Sequence, residues 1–272
     1  MNKKMKILGG FVLFFLLLTV LGFKYLENQK NDMYNDSLMS NYEYDISITS
    51  DTNLQNVTMY LPVPVFENES KVGLEMVDWD YSNKPSDWNL SLEDTEYGLM
   101  FKIETAKIQP SYYPLPQPVS ESEGLTNETL QEKPIVVSHN YSEETPVLMP
   151  IDFGTSVKTE KLIDTRSPIG SEPVLLPKYN LRESEKVPIV PNTKNINPKH
   201  SDYESLIYAQ YETSPEAEVQ ISVRLKGFNE WWIYGWEFNE YHDEISSQLK
   251  GSQADWIRVK GEIVTGDGIY KE

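Results

Sequence analysis

The 272-residue chain contains no cysteine. Disulfides, thiolate metal sites, thiol catalysis and lipid attachment at an N-terminal cysteine are all excluded. Histidine is scarce as well, with only His139, His200 and His242. None lies in a His-Glu-x-x-His zinc motif, and Gly-x-Ser-x-Gly elbows and phosphate-binding glycine loops are absent. With 42 acids, some carboxylate pair meets the spacing of a glycosidase by chance, so that pattern carries no information. The expectation is a protein that is not an enzyme and holds no cofactor.

Positive charge is the other shortage. Lysine and arginine number 24 against 42 acids, a net charge of −18. Lys3, Lys4 and Lys6 precede the apolar N-terminal run, and the rest of the chain carries −21. Such a body repels phosphate backbones, so no nucleic-acid partner is expected. Calcium would need oxygens converging from an Asp-x-Asp-x-Asp-Gly loop, and there is none. Gly266-Asp267-Gly268 reads as a hairpin turn, and no metal is expected.

Charge of either sign is missing from Ile7 to Phe23, and with Lys24 snorkelling the apolar span reaches Leu26. Bases precede it and acids follow. The expected layout is a cytoplasmic N-terminus at 1–6 and a transmembrane signal anchor at 7–26, which forms the membrane contact. A polar stalk at 27–41 and an extracytoplasmic domain at 42–272 follow. A cleaved signal peptide would use Val20-Leu21-Gly22, but Ala-x-Ala is absent and the apolar run is long for an h-region. Asn35, Asn56, Asn68, Asn89, Asn127 and Asn140 each open a glycosylation sequon, all on the outer side of this layout. Ordinary turn chemistry would also place asparagines there.

Aromatics make up 12% of the chain, and apolar residues 39%, enough for a core rich in strands. Alternation predicts strands at 42–50, 56–64, 96–108, 203–212 and 216–228, and near the C-terminus with Ile257, Val259, Gly261 and Ile263 in phase. Residues 71–81 form a less regular strand candidate through Val72, Leu74 and Met76. Tyr241, Ile245 and Leu249 at i, i+4 and i+8, with Asn239 as N-cap and the acids of His242-Asp243-Glu244 in the first turn, predict one short helix.

Thirteen of the seventeen prolines fall within 109–202. Apolar clusters beside them, at 134–137, 146–153, 173–177 and 187–191, read as short edge strands or extended segments laid across a sheet. The fold expected is mainly β. It is an antiparallel β-sandwich with a long Pro-rich irregular insertion, preceded by the N-terminal transmembrane helix.

The densest aromatic stretch is Asn229–Tyr241, "NEWWIYGWEFNEY". Read as one strand, it puts Trp232, Tyr234, Trp236 and Phe238 on one face, and Trp231, Ile233, Gly235, Glu237 and Asn239 on the other. Burial of the row in the core is the favoured reading, because four adjacent exposed aromatics exceed what monomers usually show. The alternative is a sugar-stacking platform, with Trp231, Trp232, Tyr234, Trp236, Glu237 and Asn239 as candidate ligand-binding residues. None of these motifs identifies a functional family. The function expected is a non-catalytic cell-envelope, adhesion or interaction role with a glycan or protein partner. A carbohydrate-binding module is the second reading and a polysaccharide hydrolase the third.

Overall fold

The computed structural model describes residues 3–78, 85–115, 137–184 and 198–270, with the side chains of 3–12 outside that set. A single helix, α1 (Lys3–Ser37), opens the chain. It carries the apolar run and continues without a break through the polar residues 27–37. Among the described residues, no helix is long and apolar enough to cross a membrane.

Only Leu38 separates α1 from strand β1 (Met39–Ser50). Then come β2 (Leu54–Val65), α2 (Lys71–Asp78), β3 (Asn89–Thr95), β4 (Gly98–Ile108), β5 (Ser111–Tyr113), β6 (Val147–Met149) and β7 (Ile151–Thr159). The order continues with β8 (Val174–Leu176), β9 (Tyr179–Glu183), β10 (Lys199–Glu212), β11 (Glu218–Trp232), β12 (Trp236–Lys250) and β13 (Gln253–Gly268).

Eleven strands form one antiparallel sheet in the order β3-β4-β2-β10-β13-β12-β11-β1-β7, with β8 on β2 and β9 on β10. The sheet curls. Its two edges, β3 and β7, come together across α2, which packs against both, and Trp88 meets Phe153 edge-to-face at 5.4 Å. Inside the curl, the Tyr44 hydroxyl of β1 donates to the Pro62 carbonyl of β2 at 2.8 Å, and its ring abuts Phe101 of β4. Mainly β, antiparallel structure is therefore as expected, built here as a continuous hydrogen-bonded ladder.

Alternation governs which residues reach the core. In β11, Val219, Ile221, Val223 and Leu225 point inward and their even-numbered neighbours outward. Ile46 and Ile48 of β1 and Val57, Met59 and Leu61 of β2 line the same interior. Each such side chain contributes roughly 1.5–3 kcal/mol on leaving water.

Two local expectations are overturned. Residues 239–251 do not form a helix. All but Gly251 belong to β12, which pairs with β11 from Glu218↔Lys250 to Trp232↔Trp236. The spacings of four and eight that suggest a helix are also multiples of two, so Tyr241, Ile245 and Leu249 share one strand face, together with Asp243. The acids at 242–244 therefore cap nothing. Conversely, 71–78 is helical: Val72 and Met76, four apart, are buried, Leu74 is exposed, and the Ser70 hydroxyl accepts from the Gly73 N–H at the N-terminus.

Of the proline-flanked clusters, 146–153 supplies β6 and edge strand β7, and 173–177 supplies β8. The cluster at 187–191 lies outside the described residues, as does all of 134–137 except Val137.

Candidate functional site

Gly235 marks a turn. Ile233, Tyr234 and Gly235 link β11 to β12, and the Ile233 N–H donates to the Gly235 carbonyl at 2.9 Å. The aromatic stretch is consequently a hairpin tip. Cross-strand pairing puts Trp232 opposite Trp236, Trp231 opposite Glu237 and Glu230 opposite Phe238.

The aromatic row is not core. Trp232, Tyr234, Trp236 and Phe238 expose 43%, 61%, 61% and 47% of their surface. Odd-numbered residues of the two strands here face the interior, so this row, in phase with the even positions, faces out. Tyr234 has φ 57°, a left-handed conformation that a bulky residue adopts at a cost of order 1 kcal/mol.

On the opposite face Trp231 and Asn239 are buried, and Ile233, Gly235 and Glu237 are half-buried. Trp231 is 2% exposed, packs edge-to-face on Tyr34 of α1 at 5.3 Å, and donates its indole N–H to Glu237 at 3.0 Å. Beside it, the Asn239 side-chain oxygen accepts from the Thr165 hydroxyl and from the Asn229 amide, while its own amide donates to the Ile269 carbonyl. Asn229 makes four such bonds: to Ser40, to both backbone groups of Ile163 and to Asn239. These residues floor a shallow cleft of about 300 Å³ that Tyr34, Trp231, Arg166 and Tyr270 also line. Its two buried amides are spent on the fold, leaving their acceptor and donor groups engaged.

The six candidate ligand residues thus divide. Trp232, Tyr234 and Trp236 share an exposed tip, whereas Trp231, Glu237 and Asn239 hold that tip to the body. The Trp232 and Trp236 rings meet at 76°, with centroids 5.6 Å apart, an edge-to-face pair and not a coplanar platform. Of the sequon asparagines, Asn35, Asn56, Asn68, Asn89 and Asn140 are exposed, and Asn127 lies outside the described residues.

Two charged clusters accompany the tip. Glu240, His242 and Asp267 bring ligand atoms within 4.8 Å of one another. Lys226 fills the cationic role there, its ammonium 2.8 Å from Glu240, while His242 lies 2.6 Å from the same carboxylate. Burial would raise the Glu240 pKa, but the bonds from His242 and Lys226 outweigh it and hold it low.

The second cluster escapes sequence reasoning. Asp243 has no exposed surface, and it accepts from the Leu175 N–H at 2.8 Å, the Tyr203 hydroxyl at 2.6 Å and the Lys178 ammonium at 2.6 and 2.7 Å. Desolvation pulls the Lys178 pKa down to about 8, against the opposing pull of Asp243. Tyr203 reaches Asp243 across Gly261, its cross-strand partner, and Tyr241 lies likewise over Gly227. A Cβ at either glycine would meet the tyrosine ring at 2.3 or 2.2 Å. The cluster clamps β8 onto the sheet, and the only sequence signal for it was a lone acid among the apolar inward positions of β12.

No protein-family model matches the chain, and neither a curated protein nor a solved structure matches it.

Proposed function

We propose that the chain is a membrane-anchored extracytoplasmic β protein with a non-catalytic cell-envelope, adhesion or interaction role. The observation that carries this reading is α1. Its apolar side chains from Leu13 to Leu26 are exposed. In sequence the apolar stretch begins at Ile7, and twenty helical residues rise roughly 30 Å, the thickness of a bilayer's hydrocarbon layer. Thr19, a hydroxyl within the run, donates to the Phe15 and Leu16 carbonyls, so its polarity is met within the helix as lipid demands. The basic residues before the run and the exposed sequons after it support an outward-facing β domain.

Membrane fractionation of cells expressing the full chain tests the reading. Resistance to carbonate extraction, with the β domain digested by protease added outside intact cells, is the expected result. Release by carbonate would overturn it.

Carbohydrate binding by the aromatic tip is the second reading, supported by the exposure of Trp232 and Trp236. Against it stand the perpendicular rings and the engaged amides of Asn229 and Asn239. Retardation of the protein in a glycan-containing gel, lost in Trp236→Ala, would favour it. Release of reducing ends from a polysaccharide would instead favour the hydrolase.

A further inference from the structure

We propose that the hairpin tip formed by Trp232, Tyr234, Trp236 and Phe238 seats its rings in the headgroup layer of the same membrane that α1 enters, fixing the attitude of the β domain on the lipid surface. The inference rests on the anchored reading above and names the partner of the exposed aromatic face: a bilayer interface.

Topology sets the direction of the tip. Met39, the first residue of β1, pairs with Glu230, and α1 joins β1 through Leu38 alone. Strand β11 runs antiparallel to β1, so it continues past Met39 at the end of the sheet where α1 enters. Tip and helix therefore share one end of the molecule. They also touch: the Trp232 N–H donates to the Ser37 hydroxyl at 2.8 Å, and Trp231 packs on Tyr34.

Length agrees with this placement. From Ser37 back to Leu26, the end of the apolar run, α1 descends roughly 16 Å at 1.5 Å per residue. The tip extends beyond Trp232 by about two strand residues, roughly 7 Å, before its side chains begin. A headgroup layer of about 5–8 Å, with helix tilts of about 20°, takes up what is left.

Chemistry agrees too. Tryptophan and tyrosine are the residues that favour the membrane interface, where a ring can lie in apolar surroundings while its polar edge stays wet. Four contiguous exposed aromatics in water leave a patch of the kind that marks a lipid or protein contact. Tyr234 sits where glycine or asparagine is the ordinary residue, and pays backbone strain to hold an aromatic ring at the apex. The surplus of acids on the body favours a zwitterionic surface over an anionic one.

The test uses the full chain reconstituted in phosphatidylcholine vesicles with brominated acyl chains, which quench tryptophans that reach them. Trp256, on β13, stacks among Tyr60, Tyr97 and Tyr208 away from the tip. Two of the six tryptophans, Trp232 and Trp236, are at the tip, and α1 contains none. The expected result is quenching of about a third of the emission, reduced several-fold in Trp232→Phe/Trp236→Phe, with unchanged circular dichroism for both proteins. A chain that floats with the vesicles after a carbonate wash but shows equal quenching in wild type and double variant would overturn the tip inference. The anchored reading would stand, and the rings would be left to a soluble partner. A chain that does not float at all would overturn both.

Discussion

Ser37 and Trp232 are 195 positions apart, yet the hydroxyl of one accepts the backbone N–H of the other at 2.8 Å while donating to the Met33 carbonyl at 2.6 Å. One side chain thus ties the last turn of α1 to the base of the aromatic hairpin. Ser37→Ala is expected to cost about 1 kcal/mol, the usual net value of such a bond. Hydrogen exchange at the Trp232 amide should accelerate in that variant while exchange along β12 and β13 stays unchanged. Equal protection at Trp232 in both proteins would show that the helix is held some other way.

Trp231 and its neighbour should respond in opposite fashion. Trp231→Ala removes a buried indole and its bond to Glu237, at about 3–5 kcal/mol. Trp232→Ala and Trp236→Ala remove exposed rings and should fall within about 1 kcal/mol of wild type. Urea denaturation curves of the three variants provide the comparison. A large loss at Trp236 would mean that the tip packs on the body.

The Asp243 cluster makes a sharper prediction. Lys178→Met leaves a carboxylate with no exposed surface facing only Tyr203 and the Leu175 N–H, and should cost about 3–5 kcal/mol. Adding Asp243→Asn should recover part of that loss, because the uncompensated charge disappears. Thermal melts of the single and double variants read this directly, and simple additivity of the two losses would refute the pairing.

Alkaline pH should unfold the protein through its tyrosines. Burial raises the pKa values of Tyr44, Tyr203, Tyr241 and Tyr42, with Glu172 adding to the shift at Tyr42. Above pH 10 the unfolded chain loses phenolic protons that the folded chain retains, so stability falls as pH rises past 10. Lys178 acts with the opposite sign. Its folded pKa of about 8 lies below the unfolded 10.5, so its burial penalty eases as pH climbs between those values. Melting temperatures measured at half-unit steps from pH 7.5 to 11.5 should therefore decline only above pH 10. A decline beginning near pH 8 would contradict this balance.

Much of the sheet could be read from alternation, because period-two burial is local: Tyr44, Ile46 and Ile48, or Val219 through Leu225, declare their inner face without reference to a partner. The reading fails where a spacing serves two periods. Tyr241, Ile245 and Leu249 fit a helix and a strand equally, and only the long ladder to β11 decides between them. The aromatic stretch fails for a related reason. Without a glycine pair or Asn-Gly at its centre, "IYG" gives no ordinary hairpin signal, and an aromatic in a left-handed conformation goes against local preference. The outward face of the row then follows from strand phase, against the general rule that adjacent aromatics are buried. The Asp243 cluster was unreadable because its members come from β8, the segment after it, β10 and β12, four places that only the tertiary fold assembles.

Strand β1 follows the helix after one residue and is clasped on both sides, by β11 from Met39↔Glu230 to Ser50↔Val219 and by β7 from Ser40↔Thr159 to Ile48↔Ile151. Tension applied through α1 along the axis of β1 would load both ladders at once, in shear. Their hydrogen bonds must give way together, where a terminal hairpin pulled sideways would peel open pair by pair. The β domain thus meets α1 through a strand that is held along both of its edges.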